Sequence, residues 1–210
     1  MSKLLYIQAS PRAGRSHSIS AADAFVQSYR DHNPDDTIVT LDIFKAVLPP
    51  FDGLAVRAKY TILHGQKHSQ EELDAWKAVE AMIEEFKSAD KYVMAVPMWN
   101  FGIPYRLKHY IDIIVQPGYT FSYTPEEGYK GLVTGRPIFI AYARGGEYLP
   151  GTDYEAFDLQ KRYLEVILGF MGFTDIRSIV VAPTLMAGPE VAKAKREAAI
   201  EQAKQMAKDY

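Results

Sequence analysis

Five short apolar runs punctuate the 210-residue chain, and the stretches between them carry apolar residues at helical spacing. The runs are 3–8, 37–43, 92–96, 137–143 and 175–181. The fourth, with Ile138-Phe139-Ile140-Ala141-Tyr142 apolar without a break, suits a strand covered on both faces. Behind the first run Ile19, Ala22, Val26 and Tyr29, with Phe25 beside them, predict a helix starting near Ser18. A short helix is expected over 55–63. Ser69-Gln70-Glu71-Glu72 reads as a capping box opening a longer one, followed by Leu73, Trp76, Val79, Met82, Ile83 and Phe86. Pro104 is expected at the first helical position of a segment reaching Val115, with Leu107, Tyr110, Ile111 and Ile114 as its inner face. Helices are also predicted over 157–171, closed by Gly172, and over 189–208, the latter with Val191, Ala198 and Met206 inward. Strands alternating with helices predict an α/β fold with a doubly wound parallel sheet. With no linker, repeat or low-complexity tract, residues 1–210 are expected to form one domain.

Composition narrows the function classes. A net charge of −2 provides no basic field for nucleic acid or an anionic membrane. The absence of cysteine excludes disulfides, zinc thiolates, cysteine-ligated iron–sulfur clusters and thiol redox chemistry. The N-terminal apolar run is too short for a signal peptide, and no stretch approaches transmembrane length, so a cytoplasmic location is expected.

Three strand ends carry unusual loops. After the first comes Ser10-Pro11-Arg12-Ala13-Gly14-Arg15-Ser16-His17-Ser18. A polar loop feeding a helix N-terminus is an anion-binding arrangement, with hydroxyls at Ser10, Ser16 and Ser18 and charge available from Arg12 or Arg15. It is neither a Walker A loop nor a Gly-x-Gly-x-x-Gly fingerprint, and an ordinary turn capped by Ser16 or Ser18 explains it equally well. The third run stops at Pro97 and gives way to Met98-Trp99-Asn100-Phe101-Gly102, a planar, polar-tipped segment. The fourth runs into Arg144-Gly145-Gly146, where glycines either let backbone approach a ligand or make a plain turn. Between the fourth helical stretch and the fourth strand, 116–129 alternates aromatics with turn residues, an excursion or small hairpin. Its aromatics pack on the parent domain, or form a dimer contact that also roofs a pocket.

In a sheet of strand order 2-1-3-4-5, the ends of strands one, three and four lie side by side at the topological switch point, where open α/β sheets bind ligands. A phosphate cradle beside a loop able to flank a ring suits flavin mononucleotide (FMN). The motifs Ser10-Pro-Arg-x-x-x-Ser16-x-Ser18, Met98-Trp99-Asn100-Phe101-Gly102-Ile103-Pro104 after Pro97, Leu107-Lys108 with Ile111-Asp112, Gly118-x-Thr120-Phe121 and Arg144-Gly145-Gly146 resemble the FMN-dependent NADH-azoreductase family, the FMN-dependent NADH:quinone oxidoreductases. The resemblance spans nearly the whole chain. It implies a flavodoxin-like homodimer with one FMN per subunit near the interface. It also implies that Ser10, Ser16, His17 and Ser18 hold the phosphate, that Met98, Trp99, Asn100 and Phe101 line the isoalloxazine, and that Ala143, Arg144, Gly145 and Gly146 close its far side. Trp99 stands where the family usually has Tyr, and Ala143 where Ser is common. Tyr119, Phe121 and Tyr123 are candidates for capping the partner's flavin or for interface core.

The chemistry this implies belongs to the flavin: NADH or NADPH donates hydride, and a quinone or azo compound takes the electrons in a ping-pong cycle, with no protein residue as catalytic acid, base or nucleophile. A flavodoxin-type electron-transfer module without its own substrate is the alternative; near-neutral charge and the aromatic excursion favour the enzyme. A carrier-protein phosphodiesterase lacks metal ligands and a nucleophile motif, and no Gly-x-Ser-x-Gly elbow marks a serine hydrolase. His64 and His68 have the i, i+4 spacing of a helical metal pair but no linked third ligand, so no metal site is expected.

Overall fold

The computed structural model describes residues 1–210. Seven strands and six helices follow one another in chain order: β1 (Lys3–Gln8), α1 (His17–His32), β2 (Thr37–Asp42), α2 (Gly53–Leu63), α3 (Gln70–Lys87), β3 (Lys91–Pro97), α4 (Tyr105–Ile114), β4 (Phe121–Thr124), β5 (Gly128–Gly131), β6 (Ile138–Ala143), α5 (Leu159–Met171), β7 (Ile176–Val181) and α6 (Gly188–Met206). Five strands form one parallel sheet in the order β2-β1-β3-β6-β7, which is the 2-1-3-4-5 order once the β4–β5 hairpin is set aside.

Alternation along the strands divides the core in two, because successive side chains point to opposite faces. Leu5, Ile7, Tyr92, Met94, Val96, Ile138, Ile140 and Tyr142 pack under α2, α3, α4 and α5. Leu4, Tyr6, Val93, Ala95, Phe139, Ala141, Ile179 and Val181 pack under α1 and α6. The central strands are buried on both faces, so they read as unbroken apolar runs.

Local chemistry sets the helix starts. Ser69 and Glu72 form the expected capping box on α3, the serine accepting from Glu72 N–H and the glutamate from Ser69 N–H. Asp52 caps α2, accepting from Leu54 and Ala55 N–H, so that helix begins two residues earlier than its apolar pattern suggests. Pro104 is the residue before α4 rather than its first turn: its ψ of 142° is extended, while its carbonyl already accepts from Lys108 N–H. Asp158 caps α5 through Lys161 N–H, which leaves Phe157 outside the helix in a short turn.

The largest departure from the sequence expectation is the phase of α6. Ala192, Ala199 and Ala203 face inward with Met206 beside them, whereas Val191 and Ala198 face solvent. The small side chains let α6 lie close on α1, where Ser28 Oγ donates to the carbonyl of Lys204. His64 and His68 lie beyond the end of α2 and share no helical face; the His64 ring stacks near Tyr60 instead.

Candidate functional site

The loops after β1, β3 and β6 meet at the carboxyl end of the sheet around a cleft of about 460 Å³. Its walls include Ser10, Arg12, Ser16, His17, Pro97 and Met98, with Trp99, Ala143, Arg144 and Gly145 opposite. The strand register brings these loops together: Met98 N–H donates to the Ala143 carbonyl, and Ala9 N–H to that of Ala95.

On the β1 side, Ser16 caps α1, its hydroxyl accepting from Ile19 N–H and lying 3.1 Å from that of Ser18. Of the two serines offered as caps, Ser16 holds the position. The backbone N–H groups of His17 and Ser18 have no partner within the chain and lie at the positive end of the helix. The His17 Nδ1 is buried without a partner. Burial first, and then Arg196 and Arg12, hold this imidazole below the usual histidine pKa.

The β3 loop closes as a tight turn. Trp99 and Gly102 exchange both backbone hydrogen bonds, 3.0 and 2.9 Å, while Asn100 and Phe101 between them take φ of +47° and +67°. Two left-handed residues in succession are the mark of a type I′ turn, normally an Asn-Gly property. Phe101 therefore carries strain of order 1–2 kcal/mol. The strain turns the N–H groups of Asn100 and Phe101 out of the ladder, unpaired within the chain. We expect Phe101→Gly to be more stable than Phe101→Ala by about 1 kcal/mol, the reverse of the helix order, in urea unfolding. Equal stabilities would show that the left-handed turn does not persist in solution.

The β6 loop completes the walls. Gly145 and Gly146 leave their N–H groups free, while the Gly145 carbonyl accepts from Leu185 and Met186. A Cβ on Gly146 would come within 2.5 Å of Met186 Sδ, the free end of an exposed side chain that can swing aside. Arg144 lines the cleft, but its guanidinium turns away: Nη1 pairs with Asp158 at 2.7 Å, between the Tyr142 and Tyr148 rings.

The nominated residues divide by position. Ser10, Ser16, His17, Met98, Trp99, Ala143, Arg144 and Gly145 line the cleft together. Ser18 is buried behind it through its contact with Ser16. Asn100, Phe101 and Gly146 lie off this cleft; Phe101 reaches an adjoining apolar hollow, with Phe157 5.0 Å and Tyr148 6.1 Å away, centroid to centroid. Within one chain the aromatic excursion packs largely on its own domain. The Tyr119 hydroxyl donates to Glu80 and accepts from Trp76, and Phe121 lies 4.6 Å from Phe170. Tyr123 stays exposed beside Tyr129. Sequence reasoning missed the wall supplied by Thr184, Leu185, Pro189, Ala192, Lys193 and Arg196. The inward stripe of α6, Ala192, Ala199 and Ala203, fixes which way Lys193 and Arg196 turn, and alanine, at home on either face, gave no sequence signal of it.

These parts fit a phosphorylated planar cofactor. Unpaired N–H groups at the head of a helix suit a phosphate, and amides freed by the two facing loops suit the polar edge of a ring. Fold and site define the flavodoxin-like class, and a family profile described as flavodoxin-like fold matches residues 2–207. The chain belongs to the FMN-dependent NADH:quinone oxidoreductase family: it is 58% identical over 210 residues to the protein of that name from Nitratidesulfovibrio vulgaris strain Hildenborough, covering all of both chains. Among solved structures it is similar to the azoreductase from Bacillus anthracis strain Sterne, with a TM-score of 0.92, 31% identity and full coverage of both chains. It is also similar to an FMN-dependent NADH-azoreductase from Bacillus anthracis strain Ames Ancestor in complex with FMN, with a TM-score of 0.86, 30% identity, and 99% of this chain and all of that one covered.

Proposed function

We propose that the protein is an FMN-dependent oxidoreductase that takes electrons from NADH and delivers them in pairs to quinones and aromatic azo compounds. The observation that carries this reading is that the loops leaving the neighbouring strands β1, β3 and β6 each hold backbone N–H groups without a partner in the chain, at His17 and Ser18, Asn100 and Phe101, and Gly145 and Gly146, in or beside one cleft. FMN, when bound, would supply the two-electron redox chemistry between NADH and the acceptor.

The chain's own residues bind, orient and shield. Ser10, Ser16 and the head of α1 would hold the phosphate, with Ser18 steadying the Ser16 hydroxyl from behind. Met98 and Trp99 would lie against the ring system, and the amide of Gly145 in the cleft wall, with the free amides of Asn100, Phe101 and Gly146 beside it, would donate to its polar edge, favouring the electron-rich reduced form. Phe101, Tyr148 and Phe157 give the adjoining hollow an apolar, aromatic wall that excludes water from a flat acceptor. No side chain is assigned as a catalytic acid or base.

The proposal extends to a single domain acting as a homodimer in the cytoplasm. Support for pairing comes from an apolar hollow on the surface between α4 and α5, where Ile103, Leu159, Tyr163 and Val166 gather. No helix is long and apolar enough to cross a membrane.

The purified protein is expected to be yellow, to release FMN on heating, and to lose its flavin absorbance when mixed anaerobically with NADH. It should then regain that absorbance on addition of a quinone. Protein that ignores added FMN overturns the reading. Bleaching without reoxidation by any quinone or azo compound would favour the electron-carrier alternative.

A further inference from the structure

The neutral cradle of serines and amides faces a second wall. Arg12 from the loop after β1 and Lys193 and Arg196 from α6 line the same cleft, and no Asp or Glu lines it with them. None of the three has a carboxylate within ion-pair distance, although many cations of this chain do. The contrast is sharp on α6 itself: Lys195, two residues from Lys193, pairs with Glu147, and Lys204 with Glu201. Arg12 and Lys193 are exposed, so solvent screens their repulsion, but three cations beside a helix N-terminus with no carboxylate in the cleft give it one sign of charge, which suits an anion.

We propose that Lys193 and Arg196 of α6, together with Arg12, form a cationic clamp that grips the flavin phosphate from the side opposite Ser10 and Ser16, so that this chain selects the phosphorylated flavin by charge as well as by hydrogen bonding. The proposal rests on the FMN reading above and adds binding residues that the motif loops do not contain. A flavin phosphate carries close to two negative charges at neutral pH and has three acceptor oxygens, which the clamp neutralises while the serines and amides set orientation. The surroundings of His17 support the same arrangement, since Arg12 and Arg196 both repel its protonated form.

The test uses apoprotein and flavin fluorescence, with no turnover. In equilibrium titrations, Lys193→Gln/Arg196→Gln is expected to weaken FMN binding about 10- to 100-fold while leaving riboflavin binding unchanged. The conservative Arg196→Lys should stay close to the unsubstituted protein. Added salt should weaken FMN binding more in the unsubstituted protein than in the double variant. NMR titration gives a second readout: the His17 pKa should rise when FMN binds, because the dianion relieves the repulsion from Arg12 and Arg196, and should rise in Arg196→Gln apoprotein without FMN. Unchanged FMN affinity in the double variant overturns the clamp and leaves the FMN reading standing, as does an equal loss for riboflavin. Failure of the unsubstituted protein to bind FMN overturns both.

Discussion

Asp158→Asn is expected to cost the folded protein about 3 kcal/mol, although asparagine matches aspartate in size and caps helices as well. The reason is the residue left behind. The Arg144 side chain is only 4% exposed, and its Nη1 has the Asp158 carboxylate at 2.7 Å, while its Nε and Nη2 have no other partner. Removing the negative charge leaves a buried guanidinium without compensation. In a chain of this size such a loss lowers Tm by roughly 6–12 °C. Arg144→Met in the same background should recover much of it, because removing both charges removes the desolvation cost together with the attraction. Thermal unfolding of the two singles and the double closes the cycle. A loss under about 1 kcal/mol for Asp158→Asn would place the pair in solvent-screened surroundings. The effect is expected to reach the site, since Asp158 anchors the far end of the segment that begins at Gly145. FMN binding should therefore weaken along with stability.

Gly131→Ala is expected to be similarly costly, for a steric reason. Gly131 ends β5 where the hairpin crosses the last turn of α5, and a Cβ there would lie 2.5 Å from the Met171 carbonyl carbon and closer still to Gly172 N and Cα. Backbone cannot swing aside as a side-chain tip can. Gly172, with φ of +109°, closes the helix, and Val133 N–H donates to the Met171 carbonyl close by. Overpacking against backbone should cost about 3 kcal/mol and loosen the hairpin from α5. Near-UV circular dichroism would register this through Phe121, Tyr129 and Phe170, which cluster beside the contact. An alanine variant that melts with the unsubstituted protein would show that the hairpin shifts freely on the domain.

Legibility in the sequence followed physical cause. The sheet was readable because β1, β3 and β6 are buried on both faces and leave unbroken apolar runs, and their order follows from how such strands connect. The α3 start was readable because a capping box is a local, two-residue signal. The phase of α6 was not, since alanine is at home on either face and the inward stripe is Ala192, Ala199 and Ala203. Half of the site was legible in its three loops. The half made by Lys193 and Arg196 depends on α1 and α6 packing side by side, which no local pattern records. The left-handed turn at Asn100 and Phe101 was equally hidden, because phenylalanine gives no hint of positive φ.

The three site loops leave from strands that are hydrogen-bonded neighbours, β1 beside β3 and β3 beside β6. Their separation is therefore set by a backbone ladder with a step of about 4.8 Å, whatever side chains the strands carry. The gauge of the cleft is a property of peptide geometry. Core substitutions can change how long the molecule survives without changing what fits between its loops, and loop substitutions can change the guest without moving the posts. Adaptation to new acceptors can thus proceed along the rim while the gap that admits a flat ring stays fixed.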